Sequence, residues 1–244
     1  MITKLIYIYA MATVLMFSQE LTTGFSSYFK KCVRGYHLIN MDPIKESVWE
    51  SINSLVLTHS GGIVYEKSSG SHSPGSDISS SVGNFSNKSV KYESPSHDCF
   101  NISSYRLTTV CSAAEPGTIE EIVAEINSRK NFQYYSIIAR EETGDKIHYD
   151  WIVLPADHPA VNPSLYTWVP MMGKRGKNKD AQVGWRTNVI NGSSMSISFS
   201  MSSQLWMSVK ITEEMKAMYI VASSQVEKKI MMDYVSLSDQ FPNV

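Results

Sequence analysis

Asp77 and Lys91 have the side-chain types that hydrolysis of a phosphodiester needs. Metal-assisted attack on phosphorus requires an acidic group to fix one or two divalent cations beside the scissile phosphate. It also requires a cation that orients or deprotonates water and offsets charge in the transition state. An Asp at the start of one strand and a Lys on the next converge on one phosphate when the two strands pair. In Ser89-Val90-Lys91-Tyr92-Glu93, polar and apolar residues alternate as on a half-buried strand, so Ser89, Lys91 and Glu93 share a face. Each residue also has an ordinary structural use: a turn-capping Asp77, a solvated strand Lys91 paired with Glu93 or Glu66, and a surface helix position for Glu50.

The elements around these residues read clearly in places. Asp42-Pro43 is a helix start, and Ile44, Val48, Trp49, Ile52 and Leu55 recur at helical spacing, which predicts a helix over 43–58 ended by Gly61-Gly62. Residues 62–67 read as a short strand. The Ser/Gly segment 68–76 is either a linker or a loop whose backbone approaches something closely. Ile102 to Val110 reads as extended. A helix opens at Gly117-Thr118, with Ile119, Ile122, Val123 and Ile126 on one side. The β-prone runs 133–140 and 147–154 follow. Helix, three strands, helix and two strands fit a sheet flanked by helices.

With this context the chain resembles the PD-(D/E)XK nucleases, and type II restriction endonucleases in particular. The residues that carry the resemblance are helix 43–58, the Ser-Pro-Gly-Ser-Asp77 approach, Ser89-Val90-Lys91, Ile102 to Leu107 and the helix near 118–130. The resemblance implies an α/β fold with a mixed β-sheet core flanked by helices, magnesium dependence, double-stranded DNA as substrate, and a homodimer that cuts both strands of a short palindrome. By the same resemblance Asp77 is the metal-binding Asp, Lys91 the catalytic Lys, and Val90 a backbone carbonyl ligand. Two departures stand out: no Pro immediately precedes Asp77, and Ser89 occupies the acidic position two before the Lys. The second carboxylate must then come from Glu93, on the same strand face, or Glu50, on the preceding helix.

Beyond Pro155 the texture changes, and the expected organisation is one domain over 1–244. It comprises a core at about 43–154, a C-terminal DNA-recognition elaboration at about 155–210 and a helical segment at about 211–235. Lys174, Arg175, Lys177 and Lys179, interleaved with Gly and Asn, suit phosphate contacts, although a solvated loop explains them too. Arg186 and Gln204 are types that read guanine and adenine edges, and Ser202 and Ser203 would add hydroxyls. An ordinary strand with a polar outer face accounts equally for residues 200–205. The five tryptophans read as core or hinge aromatics.

A formal net charge of -1 neither favours nor excludes nucleic acid, because distribution of charge outweighs its sum. Cys32, Cys99 and Cys111 have no metal-like spacing, and no phosphate loop or Gly-x-Ser-x-Gly elbow occurs. Three cysteines fit a reducing cytoplasm. Against this, Lys4 and the apolar run 5–17 have some features of a signal peptide, and Asn84, Asn87, Asn101 and Asn191 lie in Asn-x-Ser sequons. The alternative is therefore a secreted, glycosylated binding protein without catalytic activity. The run 5–17 lacks a small-x-small cleavage site and is too short to span a bilayer comfortably, so it is read as a buried helix and no membrane is expected.

Overall fold

Two β-sheets and a pair of helices form three stacked layers in the computed structural model, which describes residue 17 and residues 19–67, 75–93 and 96–240. The helix expected over 5–17 lies outside the described residues apart from Phe17, whose ring contacts Phe25 and Tyr134.

Helices α1 (Gln19–Ile39) and α2 (Glu46–His59) cover one face of a six-stranded sheet, sheet A. Its strands are β1 (Val64–Lys67), β2 (Ile78–Ser80), β3 (Gly83–Lys91), β5 (Tyr134–Thr143), β6 (Lys146–Pro155) and β11 (Ile220–Glu227), in that spatial order. Only β3 and β5 run parallel; the other pairs are antiparallel. Parallel neighbours need a crossover, and it is made by β4 (Cys99–Arg106) and helix α3 (Ile119–Ser128). The start of α3 is fixed by a capping box between Thr118 and Glu121, as its sequence suggests, and Ile122 and Ile126 are buried.

Sheet B takes β4 together with β7 (Trp168–Met172), β8 (Gln182–Thr187), β9 (Ser194–Ser198) and β10 (Gln204–Lys210), in the order β4-β10-β9-β8-β7. One core lies between α1, α2 and sheet A, around Phe25, Phe29, Trp49 and Trp151. The other lies between the sheets, where Ile137, Ile152 and Leu154 meet Ile102, Ile197 and Met207. This second core includes Met215 and Tyr219 of the short helix α4 (Glu213–Tyr219). A last helix, α5 (Tyr234–Gln240), buries no residue.

The structure departs from the sequence reading at three boundaries. Helix α1 is not singled out by the patterning above. Helix α2 begins at Glu46, with an extended Lys45 before it, instead of at Pro43. Tertiary contacts override the Asp-Pro signal: the Ile44 N–H donates to the Tyr149 hydroxyl at 3.1 Å, and its carbonyl accepts the Ser89 hydroxyl at 2.8 Å. The segment is thereby pinned to the sheet and cannot turn. Finally, 211–235 is not simply helical, because β11 joins sheet A along β6, so the chain returns to the core after forming sheet B.

Candidate active site

Strand β2 is only three residues long and pairs with Gly83 to Phe85, while β3 runs on to Lys91 beside β5. Beyond Phe85, therefore, the β2-side edge of β3 has no strand to satisfy it. Asp77, the residue before β2, covers the start of this gap. Its N–H donates to the Phe85 carbonyl at 2.8 Å, and its carboxylate Oδ2 accepts the Asn87 N–H at 2.5 Å. The Ser86 hydroxyl is a further donor to the same carboxylate.

Helix α2 brings two more carboxylates to this edge, Glu46 and Glu50, one helical turn apart. Lys88 Nζ meets Glu46 Oε1 at 2.8 Å, and its side chain is 13% exposed. Burial raises the Asp77 carboxyl above the usual range and Glu46 adds to this, against the pull of Lys88 and the Asn87 and Ser86 donors. Glu50 is raised first by burial and then by Asp77 and Glu46, with Lys88 opposing. Lys88 thus pairs with Glu46, and its charge also acts on Asp77 and Glu50 at this half-buried edge.

Behind this edge the packing is buried and polar. Asn53 of α2 donates to Asn87 Oδ1 at 2.6 Å and to the Ser136 hydroxyl at 2.9 Å. Ser136 also takes the indole N–H groups of Trp49, on its carbonyl, and Trp151, on its hydroxyl. These bonds fix α2 against β3 and β5, and with it the positions of Glu46 and Glu50. In front, Ser76 N–H donates to Asn131 Oδ1 at 2.7 Å. Gly75 has φ +105°, and a Cβ there would fall 1.8 Å from that same oxygen. The close approach anticipated for this Ser/Gly segment thus occurs at Gly75; residues 68–74 lie outside the described set.

The residues singled out from the sequence are only partly gathered here. Asp77 lies near enough to Glu50 to raise its carboxyl; Lys91, Ser89, Val90 and Glu93 do not join them. Strand rise carries Lys91 about 13 Å along β3 from Asn87, where it is exposed and pairs with Glu142 at 3.6 Å. Ser89 is committed to the Ile44 carbonyl. Val90 packs into the core between the sheets, beside Ala139 of β5. Glu93 is exposed and accepts the side-chain amide of Asn101. Sequence reasoning missed Lys88, Ser86 and Glu46. Ser86-Asn87-Lys88 repeats the Ser-x-Lys pattern of 89–91 three residues earlier, but starting the strand at Ser89 hid it.

Of the recognition candidates, Lys174, Arg175, Lys177 and Lys179 lie exposed at the β7–β8 hairpin tip, and Arg186 is exposed on β8. Ser202 is exposed, in left-handed backbone. Ser203 and Gln204 are corrected. The Ser203 hydroxyl is buried on the Cys111 carbonyl at 2.7 Å. Gln204 Nε2 donates to the Ser104 and Tyr105 carbonyls, across a register shift in the β4–β10 pairing. Tyr105, beside that bulge, packs against the core between the sheets with its hydroxyl on the Arg129 carbonyl at 3.4 Å, and burial raises its phenol.

Among the described residues no group of three or more His, Cys, Asp or Glu side chains is placed to hold a metal ion by itself. Asp77 and Glu50 nevertheless suit magnesium, which is typically held by one or two carboxylates with water and substrate phosphate completing its shell. Burial raises both carboxyls, and Asp77 adds to the rise of Glu50, an excess of negative charge that such a cation would relieve. The cysteines are free, and no described helix is long and apolar enough to cross a membrane. No family model, curated protein or solved structure matches the chain.

Proposed function

We propose that the chain is a magnesium-dependent endonuclease of the PD-(D/E)XK type, cutting double-stranded DNA at a defined sequence as type II restriction enzymes do. The observation that carries this reading is the convergence of Asp77, Glu50 and Lys88 where β2 ends and β3 continues. Some support also comes from the setting: sheet A is mixed, as the resemblance implies, with a parallel β3–β5 pair joined through α3, although helices cover only one of its faces and sheet B covers the other.

In this reading Asp77 and Glu50 would hold the cation, and Glu50 would supply the carboxylate that Ser86 lacks. A bound magnesium ion supplies Lewis acidity toward the phosphate and a more acidic water. Lys88, steadied by Glu46, orients the attacking water and offsets charge on the phosphate. The Asn87 N–H and Ser86 hydroxyl keep the Asp77 carboxylate in one orientation. Of the sequon residues, Asn87 is fully buried and has no room for a glycan, whereas Asn101 and Asn191 are exposed.

The test is digestion of a sequenced plasmid and a phage genome with the purified chain in magnesium. Discrete bands from the wild type, and none from Asp77→Asn, are expected. Intact DNA across such a panel, or bands that persist with Asp77→Asn, would remove the reading.

A further inference from the structure

We propose that the outer face of sheet B is a docking platform for an unpaired nucleic-acid strand, with the Trp206 ring as its stacking surface. Strand β10 alternates strictly: Leu205, Met207 and Val209 are buried between the sheets, so Gln204, Trp206 and Ser208 point outward. Ser194, Ser196 and Ser198 do the same on β9. Pairing aligns Ser103, Trp206, Ser196 and Arg186 in one row across four strands, a span of about 14 Å at the usual strand spacing. Asn101, Ser208 and Ser194 form the row beside it. Of these, Asn101, Ser194, Ser196, Trp206 and Ser208 line a shallow groove of about 220 Å³.

Charge selects the occupant. None of the five strands of sheet B contains Asp or Glu, whereas they carry Arg106, Arg186 and Lys210. The β7–β8 hairpin adds Lys174, Arg175, Lys177 and Lys179 against a single acid, Asp180. Lys210 pairs with Asp98 at 3.2 Å; no ion pair among the described residues occupies Arg106, Arg186 or the hairpin cations. Glu93 at the rim is engaged by Asn101. A neutral glycan would use the indole and the hydroxyls but not these cations, and the bases of an intact duplex cannot reach an indole face. An unpaired strand uses all three: phosphates on the cations, a base on Trp206, and base edges on serine hydroxyls that both donate and accept. The identity of the strand as one leaving the Asp77 site rests on the nuclease reading; binding to the face is tested apart from cleavage.

The probe is a fifteen-residue oligothymidylate, about the site size of a single-strand platform, added to the full chain at low salt without magnesium. Trp49 and Trp151 are fully buried and Trp168 and Trp185 are 9% exposed, so stacking would quench mainly Trp206. Saturable quenching is expected. Trp206→Ala should abolish it and weaken binding, measured by anisotropy of labelled oligonucleotide, by about tenfold or more. Arg186→Gln should weaken binding several-fold and flatten its salt dependence. Arg186 is exposed, so this variant serves if Trp206→Ala does not fold. The proposal falls if both folded variants bind like the wild type, if a neutral hexasaccharide quenches where oligothymidylate does not, or if a second copy of the chain covers Trp206 in solution. Oligonucleotide binding without plasmid cleavage would sink the nuclease reading alone; cleavage without oligonucleotide binding would sink only the platform.

Discussion

The Asp77 carboxylate accepts the Asn87 backbone N–H at 2.5 Å, so the side chain that ends one loop also continues the pairing that β2 leaves unfinished. The acid is therefore both a structural cap and the centre of the candidate site. Its two roles make opposite demands, since the cap tolerates a neutral acceptor and the chemistry does not.

Asp77→Asn should separate those roles. Burial raises the folded-state carboxyl, so the native protein binds the proton more tightly than the unfolded chain. Stability conferred at low pH is then lost as pH rises from about 4, the ordinary Asp value, through the raised one. Asn keeps an acceptor for Asn87 without the buried charge. The variant should melt a few degrees above the wild type at pH 7, and the difference should vanish in acid. Magnesium should reverse the order: at about ten times Kd it adds about 1.4 kcal/mol to a binding native state. Differential scanning fluorimetry with and without magnesium should show the wild type rising and Asp77→Asn unmoved.

Lys88 and Lys91 offer a sharper comparison on one strand. Lys88→Ala removes the ammonium beside Asp77 and should lower cleavage by about 100-fold or more, the range seen when a positioned acid-base or charge-stabilising group is lost. Lys91→Ala removes an exposed cation paired with Glu142, and cleavage should stay within about twofold, with stability changed by less than about 1 kcal/mol. Initial rates on a supercoiled plasmid decide the matter. Equal losses in the two variants would return Lys91 to the site.

Gly75→Ala should damage the site without touching a polar group. The added methyl meets Asn131 Oδ1, and φ +105° is itself strained for alanine. The loop must shift, taking Ser76 off Asn131 and Asp77 with it. Cleavage should fall about tenfold or more while the fold survives, because misplacement by about 1 Å alone costs up to about 100-fold. Thermal melting beside single-turnover rates separates this from unfolding.

A second polar cluster sets a separate pH dependence. Asp150 accepts from Tyr92 at 3.0 Å, Ser223 at 2.5 Å and His148 at 2.9 Å. Burial pushes its carboxyl up, but these donors outweigh it and the net shift is downward. The His148 imidazole is raised mainly by its bond to Asp150, with Glu141 adding to the pull. The His148 contribution is therefore complete below about pH 6.5, its ordinary value, and is lost as pH rises through the raised one. The Asp150 contribution is present above about pH 4 and is lost below it. His148→Ala should flatten the fall in urea midpoint between pH 6 and 8. Asp150→Ala, which strands the Tyr92 hydroxyl in the core, should cost about 3 kcal/mol.

Local chemistry decided a good deal by itself. The Thr118-x-x-Glu121 box started α3, β-prone runs marked β5 and β6, and Trp49 and Ile52 at helical spacing made α2 a helix, although Leu55 of the same pattern is exposed, because these signals act within a few residues. Asp77 and Glu50 could be picked out by residue type and context. Tertiary structure decided which Ser-x-Lys run faces them. That choice depends on where β2 stops, and β2 stops where Asp77 takes over the Asn87 N–H, a contact between residues on different strands. The start of α2 was likewise moved by Tyr149 and Ser89, distant in sequence, and β11 returned to sheet A only because β6 had an edge to fill. The partial exposure of Trp206 had the same origin, since β10 shows which residues alternate, but only the packing of sheet B on sheet A fixed which side faces water.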